Sequence, residues 1–471
     1  MARLRRQNRL DHSGGVQTRT VTPLALSRQV KHALNCDFST KLGAITGRRG
    51  SNTLSTVLAG KRVLTVLQWV KNDGTVQYFA SLDDGEATPK VDLYKNAGVL
   101  SGAWSKSLED LTTDTDVWGV NFINKLIVCN GSDEVKGWNG SSWSTITNAP
   151  TAGKFPQVFG QRLFLLTETG FLHYSDVVNS AGDGFTTTEW TNRGINPNDG
   201  QKCKMLKRHR GRLVILKEES IYRYDGSNEP EAVITIGTHS SKSVVILNDL
   251  FFHHPTGIYK MGAGYPILIS RPIQKFLDGM SNTNWVNVAS GRDLENIYFW
   301  IGDVTIEDPL EHDYGKTYSN VVLVYNVYAQ TWTVFDNWDA RVWFFDKTSG
   351  LTYFGTSDGK IVQINTGYAD IDGSTTTPIS FEVIFMPEDL GYPEKDKEFG
   401  LIKVIGQYDS DVLIAGNYDE LVSREALNQG KSGGKTTCSQ LWVGINEEYQ
   451  SRPPRIEGLI LDNINLLDNA N

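Results

Sequence analysis

At 471 residues with 39% apolar side chains the chain can bury a large core, and 45 glycines beside 19 Phe, 18 Tyr and 12 Trp suit an all-β protein with many turns. A net charge of −8 argues against a general nucleic-acid binder, and the four cysteines, Cys36, Cys129, Cys203 and Cys438, lie without Cys-x-x-Cys spacing, as free thiols rather than a disulfide scaffold or zinc site. No apolar run reaches the roughly 18 residues of a membrane helix and no signal-peptide core opens the chain, so the sequence predicts a soluble protein made in a cytoplasm, without a membrane segment.

From residue 1 to about 52 the pattern is polar, without a sustained period, and predicts an extended N-terminal arm. Its charge is one-sided: Arg3, Arg5, Arg6, Arg9, Arg19, Arg28 and Lys31 stand against Asp11 alone, which makes the arginines candidates for an assembly interface. A hairpin follows at 63–70 and 76–80, with a third strand at 91–94. Then one unit recurs, a short apolar run, a turn, and a second run rich in aromatic residues: 125–129 with 135–138, 162–166 with 171–174, 213–216 with 221–224, 249–252 with 258–260, and 351–354 with 361–364.

The leading leucines Leu126, Leu163, Leu213 and Leu250 are 37, 50 and 37 residues apart, and the gap to Leu351 has room for two units. Repeats of roughly 40–50 residues built from several short strands predict the blades of a β-propeller. Seven blades are favoured over six, within residues 53–366. Eleven of the 12 tryptophans fall between Trp69 and Trp343, as expected if they wedge between neighbouring sheets.

The sixth unit is divergent. Its strands at 297–301 and 321–327 flank an acidic segment, 302–320, with Glu307, Asp308, Glu311 and Asp313, and a loop of that length predicts a projection from the rim that contacts a fibre or another subunit. Residues 367–378, rich in Asp, Gly, Ser and Thr, predict a linker. Apolar clusters at 379–385, 399–406, 412–416 and 456–461 then predict a small β-sandwich-like domain over 379–471, with an exposed loop at 425–437.

Catalytic motifs are missing from this sequence. There is no Gly-x-Ser-x-Gly elbow, no phosphate-binding Gly-x-x-x-x-Gly-Lys loop and no His-Glu-x-x-His, so no catalytic, cofactor-binding or metal residues are expected. His253-His254 has no ligand motif beside it and predicts a satisfied strand end. Asp370, Asp372 and Gly373 lack the remaining ligands of a calcium loop and predict a turn. Lys202, Lys204, Lys207, Arg208, Arg210 and Arg212 form the densest basic cluster of the body, suited equally to an acidic partner or DNA and to a solvated edge that resists strand pairing.

Several stretches resemble the tail hub, or nozzle, proteins of short-tailed bacteriophages. Asp11-His12-Ser13-Gly14-Gly15-Val16, Leu34-Asn35-Cys36-Asp37-Phe38 and Gly43-Ala44-Ile45-Thr46-Gly47-Arg48-Arg49-Gly50 are similar to the segment that leads into their propeller. Gly211-Arg212-Leu213-Val214-Ile215-Leu216 with Ser220-Ile221-Tyr222, then 244–252, Gly257-Ile258-Tyr259 and Ser270-Arg271-Pro272-Ile273, are similar to their middle blades, and Val322-Leu323-Val324-Tyr325-Asn326 with Thr331-Trp332 to a late one. Residues 302–320 depart from the pattern. The resemblance implies a virion tail protein, assembled as a homo-hexameric ring below the portal vertex and its adaptor ring. Such a ring docks tail fibres or spikes and a tail-tip plug, and DNA passes through its lumen without sequence-specific binding. A receptor-binding propeller that holds or cleaves carbohydrate is the alternative.

Overall fold

The computed structural model describes residues 2–3, 7–9, 11–18, 29–39, 43–83, 90–112, 116–177, 190–308, 311, 313–387, 395–409, 412–415, 436–438 and 440–467. Blade 4 sets the pattern. Cys203–His209 turns through Arg210 and Gly211, at φ 48° and 74°, into Arg212–Lys217. Positive φ at both turn residues matches the right-handed twist of the paired strands, and Gly211 adopts it without steric cost. Ile221–Tyr224 and Glu231–Ile234 complete an antiparallel four-stranded meander. Leu213, Val214, Ile215 and Leu216 are all buried, because this sheet is covered on both faces by its neighbours. Each such side chain contributes roughly 1.5–3 kcal/mol of burial free energy.

Six further sheets repeat the unit. Blade 1 comprises Val63–Val70, Val76–Asp83, Val91–Ala97 and Ser105–Leu111, and blade 2 Trp118–Phe122, Lys125–Cys129, Lys136–Trp138 and Trp143–Thr145. Lys154–Phe159, Arg162–Leu166, Phe171–Tyr174 and Thr191–Gly194 form blade 3; Val245–Leu247, Asp249–His254, Gly257–Met261 and Ile267–Leu268 form blade 5. Blade 6 is Ala289–Arg292, Asn296–Thr305, Thr317–Asn326 and Thr331–Phe335. The first strands lie innermost, and Val342–Phe345 of blade 7 packs on Val63–Val70 of blade 1, which closes a seven-bladed β-propeller. Aromatic side chains bridge the blades: the Trp69 indole N–H donates to Asn124 O at 3.0 Å, and Trp118 meets Phe155 edge-on.

Blade 7 is assembled from both ends of the ring. Val342–Phe345, Thr352–Gly355 and Lys360–Ile364 are consecutive, but the fourth strand is Ser51–Thr56, antiparallel to Lys360–Ile364 and followed in the sheet by Asp370–Asp372 and Thr375–Thr377. A Cβ at Gly359 would sit 1.9 Å from Leu58 O, so only glycine lets the two segments close, with Val57 N–H donating to Gly359 O at 2.8 Å.

The rest of the N-terminal segment enters the second domain. Val30–Leu34 bridges the outer strand of blade 6 to Ile379–Phe385, which continues into Trp442–Tyr449 and Val412–Ala415, so one eight-stranded sheet runs from propeller to second domain. Opposite it, Arg455–Leu466 pairs with Lys397–Gln407, Ile45–Gly47, Ala2–Arg3 and Gln7–Arg9. Val30, Leu34, Cys36 and Ile45 share one core with Phe381, Val383, Val404, Val443 and Leu459. The sequence predicts an arm outside the fold here. Instead residues 30–37 and 45–56 satisfy backbone hydrogen bonds of this chain's own sheets, at positions no hydrophobic period marks.

Residues 302–320 also differ from expectation. The strands Asn296–Thr305 and Thr317–Asn326 extend into them as a long hairpin. Asp313 is buried, its carboxylate accepting from Lys275 Nζ at 2.9 and 3.0 Å and from the Tyr318 hydroxyl at 2.7 Å. Glu311 lies 3.6 Å from Lys31 and 3.7 Å from Lys275. The buried Lys275 and the half-buried Lys31 thus draw these two acids inward, while Glu307 and Asp308 stay exposed. All four cysteines are buried free thiols. Among the described residues no helix is long and apolar enough to cross a membrane, the α-helix Gln274–Asp278 having five residues.

Candidate functional sites: the axial cavity and two converging histidines

The innermost strands leave an axial cavity in two lobes that share Val66, Leu67 and Lys207, one of about 200 Å³ reaching Trp118, Met205 and Trp343, the other of about 730 Å³ reaching Gln157, Ile246 and Phe344. At roughly 30 Å³ per water it holds on the order of thirty solvent molecules and no DNA duplex. Lys207, on the first strand of blade 4, lines it. Burial and then Lys347 push its pKa down to about 8. Among the described residues Lys207 has no acidic partner within 4 Å; the rest of the basic cluster is engaged inside the chain.

Lys202 lies 3.9 Å from Glu168, Lys204 3.0 Å from Glu218, Arg210 2.7 Å from Asp249 and Arg212 3.7 Å from Glu231. The Arg208 guanidinium sits over the Phe159 ring. On Cys203–His209 strand alternation sets Lys207 on the opposite face from Arg208.

Of the arm's arginines, Arg9 donates from Nη1 to Met386 O at 3.1 Å, in this chain's own second domain. Arg3 lies on the strand Ala2–Arg3; Arg5, Arg6, Arg19 and Arg28 fall outside the described residues. Asp370 and Asp372 form a short hairpin with Thr375–Thr377, as a turn reading expects. Arg48, itself buried, grips Asp370 through two hydrogen bonds of 3.1 and 2.7 Å, donates from Nε to Asn35 Oδ1 at 2.9 Å and stacks on Trp338. Burial alone would push the Asp370 carboxyl up, but Arg48 and Ser51 hold it below the usual carboxylate range. Asp372 is engaged by Lys360 at 2.8 Å. These carboxylates serve blade closure.

Between blades 4 and 5 the structure assembles a group that no sequence motif announces. Glu219 occupies the turn after Arg212–Lys217, His239 the connection between the blades, and His254 the end of Asp249–His254. His239 Nε2 lies 2.7 Å from Glu219 Oε1 and His254 Nε2 3.1 Å from Glu219 Oε2. Burial would push the Glu219 carboxyl up, but the two imidazoles hold it down. One donor atom from each residue lies within 4.8 Å of the others, so the three side chains could hold a metal ion. His253, by contrast, points into the core. The usable signal was repeat phase: Glu219 and His254 sit at the same end of equivalent second strands in adjacent blades.

No family model and no curated protein matches the chain. Among solved structures, YCF48 from Cyanidioschyzon merolae is 9% identical, with 67% of this chain and 98% of that one covered at a TM-score of 0.44. PorZ, a surface component of the type-IX secretion system of Porphyromonas gingivalis, is 14% identical, covering 75% of this chain and 45% of its own, at 0.39. The computationally designed Ika8 is 10% identical, with 66% and 99% covered, at 0.39. The seven closed sheets themselves make this chain an all-β propeller with a second β domain.

Proposed function

We propose that the chain is a structural subunit of the tail hub, or nozzle, ring of a short-tailed bacteriophage, without catalysis, continuing the portal and adaptor channel and offering docking surface to fibres or spikes. The observation that carries the reading is mechanical. Residues 30–37 and 45–56 enter both sheets of the second domain, the edge of blade 6 and the fourth strand of blade 7, so that propeller and second domain form one body. A ring that bears load needs such a subunit, and the motif resemblance supplies the kind of ring. The axial cavity is too small for DNA, which on this reading passes down a lumen between copies.

Purified chain, examined by sedimentation and negative-stain microscopy, is expected to form six-fold rings with an open lumen. A stable monomer that retains sugar on a glycan array would overturn the reading in favour of a carbohydrate-binding propeller. Six copies at −8 each carry −48. A lumen that lets DNA slide needs little positive lining, so rings are expected to bind duplex DNA weakly near 0.15 M salt; tight, steeply salt-dependent binding would contradict this.

A further inference from the structure

We propose that Glu219, His239 and His254 form a zinc site that fastens blade 4 to blade 5. Two imidazole nitrogens and one carboxylate suit zinc and related late first-row ions, whereas magnesium and calcium take all-oxygen shells. In a tetrahedral site with bonds of about 2.0–2.1 Å, ligand atoms stand about 3.3 Å apart. Here His239 meets Oε1 and His254 meets Oε2 of the one carboxylate at 2.7 and 3.1 Å, and one donor atom from each residue lies within 4.8 Å of the others. Glu219 and His239, with side chains 51% and 26% exposed, are the ligands with freedom to adjust around an ion held against the buried His254.

The two imidazoles are held before any ion arrives. His254 ends a strand and packs edge-on against Tyr259; His239 packs edge-on against Trp285. Thr256 serves either tautomer of His254. Its backbone N–H, 3.2 Å from Nδ1, donates when Nε2 carries the proton towards Glu219. Its Oγ1, 2.8 Å from Nδ1, accepts when Nε2 offers its lone pair to a metal, and it can then donate onward to the Tyr259 hydroxyl 2.8 Å away. A hydrogen-bond partner on the second ring nitrogen is what orients histidine ligands. Three protein ligands leave a fourth position for water, and His239 lines a polar cavity of about 280 Å³ that can supply it.

The inference is independent of any tail role. Full-length protein, stripped with chelator and titrated with Zn²⁺ by calorimetry, is expected to bind one ion per chain and to melt at a higher temperature, with Mg²⁺ producing neither effect. Glu219→Gln and His239→Gln should each abolish stoichiometric binding and the zinc-dependent rise in Tm, and Thr256→Val should weaken affinity about tenfold. Glu219 lies in an exposed turn, so an unchanged far-UV spectrum of Glu219→Gln separates ligand loss from unfolding. Absence of stoichiometric zinc in the wild type, leaving a hydrogen-bonded His–Glu–His cluster only, would overturn the proposal. So would undiminished zinc binding by the variants.

Discussion

Blades 4 and 7 share a four-stranded unit, extended in blade 7 by the short hairpin Asp370–Asp372 with Thr375–Thr377, and the two units are built in opposite ways. Blade 4 takes all its strands from residues 203–234, in order, through tight turns. Blade 7 takes three strands from 342–364 and the fourth from 51–56, across nearly the whole ring. A sheet of local hairpins forms wherever its residues occur, whereas one completed from a distance must first meet the entropy of closing a long loop. The ring therefore depends on a junction that its repeats cannot supply, and that junction is where Arg48, Asp370, Gly359 and the second domain are concentrated.

Deleting residues 1–56 breaks the comparison most severely. Without the fourth strand of blade 7 and the N-terminal strands of the second domain, the chain is expected to aggregate or to lose its single cooperative melt. Cutting only 1–31 should also lower Tm, because it removes buried Val16 and His12 and the first residues of Val30–Leu34. A truncated chain that melts as the full one does would return these residues to the status of a loose arm.

Arg48→Ala comes next. It leaves the Asp370 carboxylate mostly buried beside Ser51 without its counter-charge, a loss of about 3–5 kcal/mol in denaturant unfolding. Arg48→Ala/Asp370→Asn should recover part of that, which a double-mutant cycle measures.

A pH dependence of similar origin follows at His12, buried against Phe385, where burial and then Arg9 lower its pKa to about 4. The unfolded chain protonates His12 near 6.5 and the folded chain only near 4, so the unfolded state binds more protons between those values. Stability present above pH 6.5 is expected to fall towards pH 4 by up to about 3 kcal/mol from this group. His12→Leu should flatten that part of the profile. At the small end, Arg212→Ala in blade 4 removes an exposed pair with Glu231 and is expected to change stability by less than about 1 kcal/mol.

Legibility in the sequence followed the same division. Leu213–Leu216 and the turns around them announced blade 4, because a strand covered on both faces needs an unbroken apolar run. Ser51–Thr56 reads Ser-Asn-Thr-Leu-Ser-Thr and gives no such signal, since most of this strand, far from the ring's axis, is only half-buried. Asp313 looked like a surface acid because Lys275, which buries it, lies 38 residues away. His253-His254 carries no ligand partner within its own segment. The partners, Glu219 and His239, come from a turn and a connection whose meeting is set by the packing of one blade on the next, which no ligand spacing within a single segment encodes.

Hydrogen exchange on the intact chain tests most directly whether the N-terminal segment is part of the folded body. Amides of Ser51–Thr56 that face Lys360–Ile364 are expected to exchange together with that strand, on the slow timescale of Arg212–Lys217 in blade 4. Rapid exchange of 51–56 beside a protected 360–364 would show that blade 7 closes without them, and would remove the support for a single rigid ring subunit.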